Sequence, residues 1–94
     1  MKPSSEPYRI RITRTAAIAI EKASEKDRDL IKQALRIIAL DPCDRTHVCK
    51  LKGEWDGHYR IRKGDWRIIF RPPKDDVIYV VYIRMRSEKT YRTH

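Results

Sequence analysis

Glycine is nearly absent from this sequence, three residues among 94, and that scarcity excludes the glycine-rich backbone loops that cradle phosphates in nucleotide-binding folds. Cysteine is rarer still. Cys43 and Cys49 lack the paired spacing and neighbouring histidines of a zinc site, and they read as two reduced thiols in preference to a disulfide. No apolar run approaches the length of a membrane span, and Met1 to Pro7 has no hydrophobic stretch of the signal-peptide kind, so a cytoplasmic protein is expected. No nucleophile elbow occurs, nor any pair of carboxylates placed for glycoside chemistry. Negative charge is also in short supply, with 13 Asp and Glu against 22 Lys and Arg and a formal net charge of +9. Residues 1–46 hold 10 basic and 7 acidic side chains, and residues 47–94 hold 12 and 6, so the excess concentrates in the second half. A polyanion is the partner such an imbalance suits, although solubility or the ion-pair networks of a heat-adapted protein are alternative uses of it.

What the chain does contain is the patterning of one small α+β domain spanning residues 1–94, with residues 1–7 as a flexible tail. Tyr8-Arg9-Ile10-Arg11-Ile12 alternates with period two and predicts a first strand. Thr13 or Thr15 can cap a short helix through about Lys22, with Ala16, Ala17, Ile18 and Ile20 as its apolar face. Ser24-Glu25-Lys26-Asp27 resembles a capping box, opening a longer helix that ends before Pro42. Its stripe of Leu30, Ile31, Ala34, Leu35, Ile37, Ile38 and Leu40 supplies a face for a sheet to pack against. Residues 41–54 read as a polar loop anchored by Leu51. Strands are expected near 55–62 and 65–71, a turn at Pro72 to Asp76, and a last strand at Val77 to Ile83, apolar enough to be central and covered on both faces. The expected architecture is an N-terminal strand, a two-helix hairpin and a three-stranded antiparallel meander, with the helices on one face of a four-stranded sheet.

The central hairpin carries the functional signal. With Lys63-Gly64 as a two-residue loop, Arg60 falls opposite Arg67 and Ile61 opposite Trp66. Tyr59, Ile61, Trp66, Ile68 and Phe70 then share one face, and His58, Arg60, Arg62 and Arg67 the other. Like charges placed directly across a sheet destabilise it, so the pair suits a site that holds an anion. Arg84 and Arg86 at the end of the last strand extend the cluster, with Lys50, Lys52 and Lys63 in support. Guanidinium groups stay charged and donate paired hydrogen bonds, which suits them to gripping phosphate and to stabilising a phosphorane-like transition state. Tyr91 lies five residues after Arg86, where it can donate a hydrogen bond, stack on a base or cover the edge of the core. Trp55 and Trp66 read as core anchors, and His58 as a second-tier candidate for proton transfer.

Leu51-Lys52-Gly53, the segment Tyr59-Arg60-Ile61-Arg62-Lys63-Gly64-Asp65-Trp66-Arg67-Ile68-Ile69-Phe70 and the closing Arg86 to Tyr91-Arg92 together resemble the RelE/ParE superfamily of toxin–antitoxin toxins. The RelE branch of that resemblance implies a ribosome-dependent endoribonuclease that cuts mRNA in the A site. The adjacent ribose 2′-hydroxyl is the attacking group, and neither metal nor cofactor takes part. By the same resemblance Arg60 and Arg62 contact the scissile region, Arg67 stabilises phosphate charge, Arg86 or alternatively Arg84 assists the leaving group, and Tyr91 orients the substrate. Lys50, Lys52, His58, Lys63 and Arg84 are the expected substrate-binding residues. Some RelE toxins carry lysine where Arg60 and Arg62 stand, and arginine is a poor general base at neutral pH, so proton removal is left without an agent. Implied partners are a RelB-like antitoxin, the ribosome and mRNA, with DNA reached only through the antitoxin and no membrane. The other branch implies a ParE-like inhibitor of DNA gyrase without nuclease chemistry, and a plain RNA- or ribosome-binding module is a third possibility.

Overall fold

A threonine cap and a serine cap set the helical layer. The computed structural model describes residues 7–85, so Arg86, Tyr91 and most of the expected tail lie outside the described residues. Thr13 is the cap of the first helix, α1 (Arg14–Lys22), and its hydroxyl accepts from the Ala16 amide at 3.4 Å. Ser24 caps α2 (Glu25–Leu40) by accepting from the Asp27 amide at 3.1 Å. Arg28 of α2 donates from Nε to the Ile20 carbonyl and from Nη2 to that of Glu21, each at 3.0 Å, and so ties α2 to the C-terminal end of α1, where the Ala23 amide also donates to Ile20 at 3.2 Å.

The strands are β1 (Arg9–Ile12), β2 (Val48–Lys50), β3 (Tyr59–Lys63), β4 (Trp66–Phe70) and β5 (Val77–Met85), in the spatial order β1-β5-β4-β3-β2. β1 runs parallel to β5, and the other neighbours are antiparallel. The architecture is the expected α+β arrangement with a fifth strand added, since the segment read as a loop contains β2. The segment from residue 55 begins instead with a 3₁₀ turn (Gly53–Trp55) that precedes β3. Ile31, Ala34 and Ile38 of α2 and Ala16 of α1 are buried against Ile61, Trp66, Ile68, Phe70, Ile78, Val80 and Ile83. Each such large apolar side chain contributes roughly 1.5–3 kcal/mol by leaving water. Leu40 and Ile18, expected on the packed stripes, are instead 68% and 40% exposed. Leu51 is absent from this core too, because it lies on the opposite side of the sheet.

Two features of register decide what the sheet's open face presents. The hairpin turns on Gly64-Asp65, one residue later than expected, with Lys63 opposite Trp66 and Arg62 opposite Arg67. Gly64 sits at φ 59 as the first turn residue, the position that a II′ hairpin reserves for glycine, and this fixes the loop. The partners differ by two residues from the expected register, so each side chain keeps its face while Arg67 exchanges Arg60 for Arg62 as its neighbour. The second feature is a β-bulge. Ile69 pairs with Tyr82 and Phe70 with Val80, leaving Val81 as the extra residue. Before the bulge even-numbered residues of β5 point to the core, and after it Ile83 does. The Thr13 hydroxyl donates to the Val81 carbonyl at 3.1 Å, tying the bulge to the start of α1. β5 is an interior strand as expected but is covered on one face only, with Tyr79 41% exposed on the other.

Candidate functional site

Three arginines stand in one row across the open face. Arg62 on β3 is opposite Arg67 on β4, which is opposite Arg84 on β5. Neighbouring strands lie about 4.8 Å apart, so the row concentrates positive charge within a width of roughly 10 Å. The bulge is what brings Arg84 into it. With unbroken alternation Arg84 would share the face of Ile78 and Val80. The adjoining row contains Cys49, Arg60, Ile69 and Tyr82, so Arg60 flanks the Arg62–Arg67 pair.

Arg60, Arg67 and Arg84 line a cleft of about 150 Å³ together with Leu51, Trp55, Ile69 and Tyr82. Its lining is cationic and aromatic, with no carboxylate among the described residues. Trp55, expected in the core, forms a wall of this cleft because the 3₁₀ turn carries it over the open face. Its ring lies 5.7 Å from that of Tyr82 at an interplanar angle of 31°, and meets the His58 ring edge-on at 5.3 Å. The Arg84 guanidinium carbon is 6.0 Å from the centroid of Tyr82, at the outer limit of a cation–π contact. The Nε of Arg60 and Nδ1 of His58 are both buried with no hydrogen-bond partner among the described residues. Arg60 lines the cleft, so an acceptor entering it can relieve the deficit at Nε.

The expected site residues divide accordingly. Arg60, Arg67 and Arg84 meet in the cleft, Arg62 stands exposed at its rim, and His58 abuts its Trp55 wall. Lys50 and Lys63 do not face it. Lys50 pairs with Tyr59 and lines a hollow beside Cys43, Arg45 and Val48, while Lys63 pairs with Trp66 on the helix-side parity. Lys52 is exposed before the 3₁₀ turn and is not among the lining residues. Tyr82 and Trp55 escaped the sequence reading. A bulge inside an all-apolar strand leaves no periodic signal, and a tryptophan at a strand entrance resembles a core anchor.

A family profile for the ParE toxin of type II toxin–antitoxin system, parDE, matches residues 9–90. Among solved structures, the Mycobacterium tuberculosis toxin–antitoxin complex RelBE2 aligns with TM-score 0.76 at 20% identity, over 88% of this chain and 95% of that one. The archaeal RelE–RelB complex from Pyrococcus horikoshii OT3 aligns with TM-score 0.70 at 27% identity, over 85% and 96%. The isolated E. coli RelE toxin gives 0.69 at 19% identity, over 93% and 99%. No curated protein matches significantly. The profile spans most of the sequence, and the two helices on a mixed five-stranded sheet reproduce the fold of the RelE toxins. The chain therefore belongs to the ParE toxin family of type II toxin–antitoxin systems, within the RelE/ParE superfamily.

Proposed function

We propose that this toxin is a ribosome-dependent endoribonuclease that cleaves mRNA in the A site and so inhibits translation. The observation that carries this reading is the Arg62–Arg67–Arg84 row beside Arg60, bordering a cleft with aromatic walls and no lining carboxylate among the described residues. In the reaction the ribose 2′-oxygen attacks the adjacent phosphorus, the bond to the 5′-oxygen breaks, and a 2′,3′-cyclic phosphate and a 5′-hydroxyl result. Arg67 is central in the row and serves the charge that builds on the equatorial oxygens, with Arg60 and Arg62 holding the nucleotides on either side. Arg84 approaches from β5 and serves the departing oxygen, the role shared in the family resemblance with Arg86. Tyr91 orients the substrate by that same resemblance. His58 abuts the Trp55 wall of the cleft and carries an imidazole, a group that can both accept and donate a proton, and we assign it the proton transfer. A cognate RelB-like antitoxin would silence the toxin by covering this face or the helix grooves.

The test is cleavage of mRNA on programmed ribosomes. Arg67→Ala should lower the cleavage rate about 10²–10³-fold, the usual loss when one charge-stabilising donor is removed. Full activity in Arg67→Ala overturns the site. The family match to ParE favours a second reading, inhibition of DNA gyrase by binding. Intact mRNA together with inhibited supercoiling by the wild-type protein selects that reading.

A further inference from the structure

The β1 end of the same open face holds a second basic hollow of about 470 Å³, lined by Arg9, Arg71, Lys74, Asp75, Val77 and Tyr79. Its composition follows from the register. The parallel pairing sets Ile10 opposite Ile78 on the packed face, which turns Arg9, opposite Val77, and Arg11, opposite Tyr79, to the open one. Across β5 from them, Arg71 continues the outward parity of Arg67 and donates its backbone N–H to the Tyr79 carbonyl at 3.0 Å. Tyr79 thus stands between Arg11 and Arg71, and is 41% exposed although its strand is interior.

Lys74 is delivered by a tight turn. Lys74 and Val77 exchange backbone hydrogen bonds of 2.9 and 3.0 Å across Asp75 and Asp76, both in the left-handed region at φ 54 and 64. A non-glycine residue costs roughly 1–2 kcal/mol there, less for Asp, whose side chain can bond locally. Asp75 is the single carboxylate of the lining against three cations, and none of Arg9, Arg71 and Lys74 makes an ion pair among the described residues. Cations interleaved with an exposed aromatic ring make the surface that single-stranded nucleic acid uses, backbone on the charges and a base on the ring. An acidic peptide would satisfy the charge but has no particular use for Tyr79. Arg67 and Arg71 are four residues apart along extended chain, about 13 Å, so a strand of RNA leaving the first cleft along β4 reaches the hollow within a few nucleotides.

We infer that this hollow is a second RNA subsite, in which Arg9, Arg71 and Lys74 grip the backbone away from the scissile phosphate and Tyr79 stacks on a base. The inference rests on the reading of the first cleft as the cleavage site. The probe is a short single-stranded RNA of mixed sequence with a 2′-deoxy residue at the cut position, its binding followed by fluorescence anisotropy over a salt series. The double variant Arg9→Gln/Arg71→Gln should weaken binding about tenfold or more and flatten the log–log salt slope by about 1.4, or roughly 0.7 for each phosphate no longer neutralised. Arg9→Lys/Arg71→Lys should keep the slope. Tyr79→Leu should weaken binding about tenfold with the slope unchanged. Unchanged affinity and slope in the Gln and Leu variants, with their thermal unfolding intact, overturn the subsite whatever Arg67→Ala does to cleavage. Normal RNA binding with weakened binding of an acidic antitoxin segment overturns it in favour of a protein partner. Should the expected shifts appear while the wild-type protein never cleaves RNA, the subsite stands and the reading of the first cleft fails.

Discussion

Arg67 has an arginine on each side of it, and the fold carries the cost of that placement. Directly opposed like charges oppose strand pairing by about 0.2–1 kcal/mol per pair. Relieving one pair should therefore help the fold while hurting the site. Arg62→Gln, at an exposed position of the row, is expected to raise Tm by about 2–4 °C, from roughly 0.5 kcal/mol in a domain of this size, and to lower RNA cleavage by about tenfold. A Tm scan beside the ribosome assay checks both, and a variant that loses stability as well as activity contradicts the balance of repulsion and grip in the row. A second residue-scale expectation concerns Asp44. His47 Nδ1 donates to its carboxylate at 3.0 Å and the Thr46 amide donates at 2.8 Å, and these bonds hold the carboxyl below its ordinary value of 3.8. The folded pKa is depressed, so the interaction contributes above the unfolded value and disappears as pH falls through the folded one. A carbon-detected titration should place the Asp44 midpoint below 3.8 in the wild type and move it upward in His47→Ala.

At the scale of elements, the start of α1 and the bulge of β5 are one device. The Thr13 hydroxyl caps the helix and donates to Val81, the residue whose insertion turns Tyr82 and Arg84 toward the cleft. Thr13→Val keeps the shape and removes both bonds, and should cost about 1–2 kcal/mol. Thr13→Ser should restore most of this. Because the missing anchor fixes where Arg84 points, RNA cleavage at a temperature where the variant is fully folded should also fall, and equal activity in Thr13→Val and Thr13→Ser would show that the bulge holds without its anchor. The same bulge marks where sequence reading stops. β3 and β4 were legible because Arg60, Arg62 and Arg67 alternate with Ile61, Trp66 and Ile68, and alternation survives a two-residue error in register. Val77 to Ile83 is apolar throughout, so a change of phase inside it leaves no trace in the pattern. β2 was hidden for a different reason. Val48 to Lys50 makes a strand only through its pairing with β3, and a three-residue segment among turn formers has no periodicity of its own. The arginines were therefore found, while the walls of their cleft, Trp55 and Tyr82, depended on tertiary structure.

For the molecule as a whole, the excess of nine positive charges acts on folding and on binding with opposite sign. In the free protein like charges across the sheet repel, and salt shortens the range of that repulsion, from a Debye length of about 30 Å at 0.01 M to about 8 Å at 0.15 M. The Tm of the free toxin should therefore rise as salt is added over this interval. RNA held at the proposed site should stabilise the folded state by RT ln(1 + [L]/Kd), about 2.7 kcal/mol at a hundredfold excess over Kd, and that Kd should weaken steeply with salt as counterion release loses its drive. The increment in Tm caused by RNA should thus shrink over the same interval in which the Tm of the free protein climbs, so that the two curves converge. Differential scanning fluorimetry of the wild type with and without a non-cleavable RNA measures both. Neutralising part of the row through Arg62→Gln should bring the convergence to lower salt, because it removes part of the repulsion and part of the grip together. Parallel curves, with an RNA increment indifferent to salt, would mean that the basic face is not where the polyanion binds.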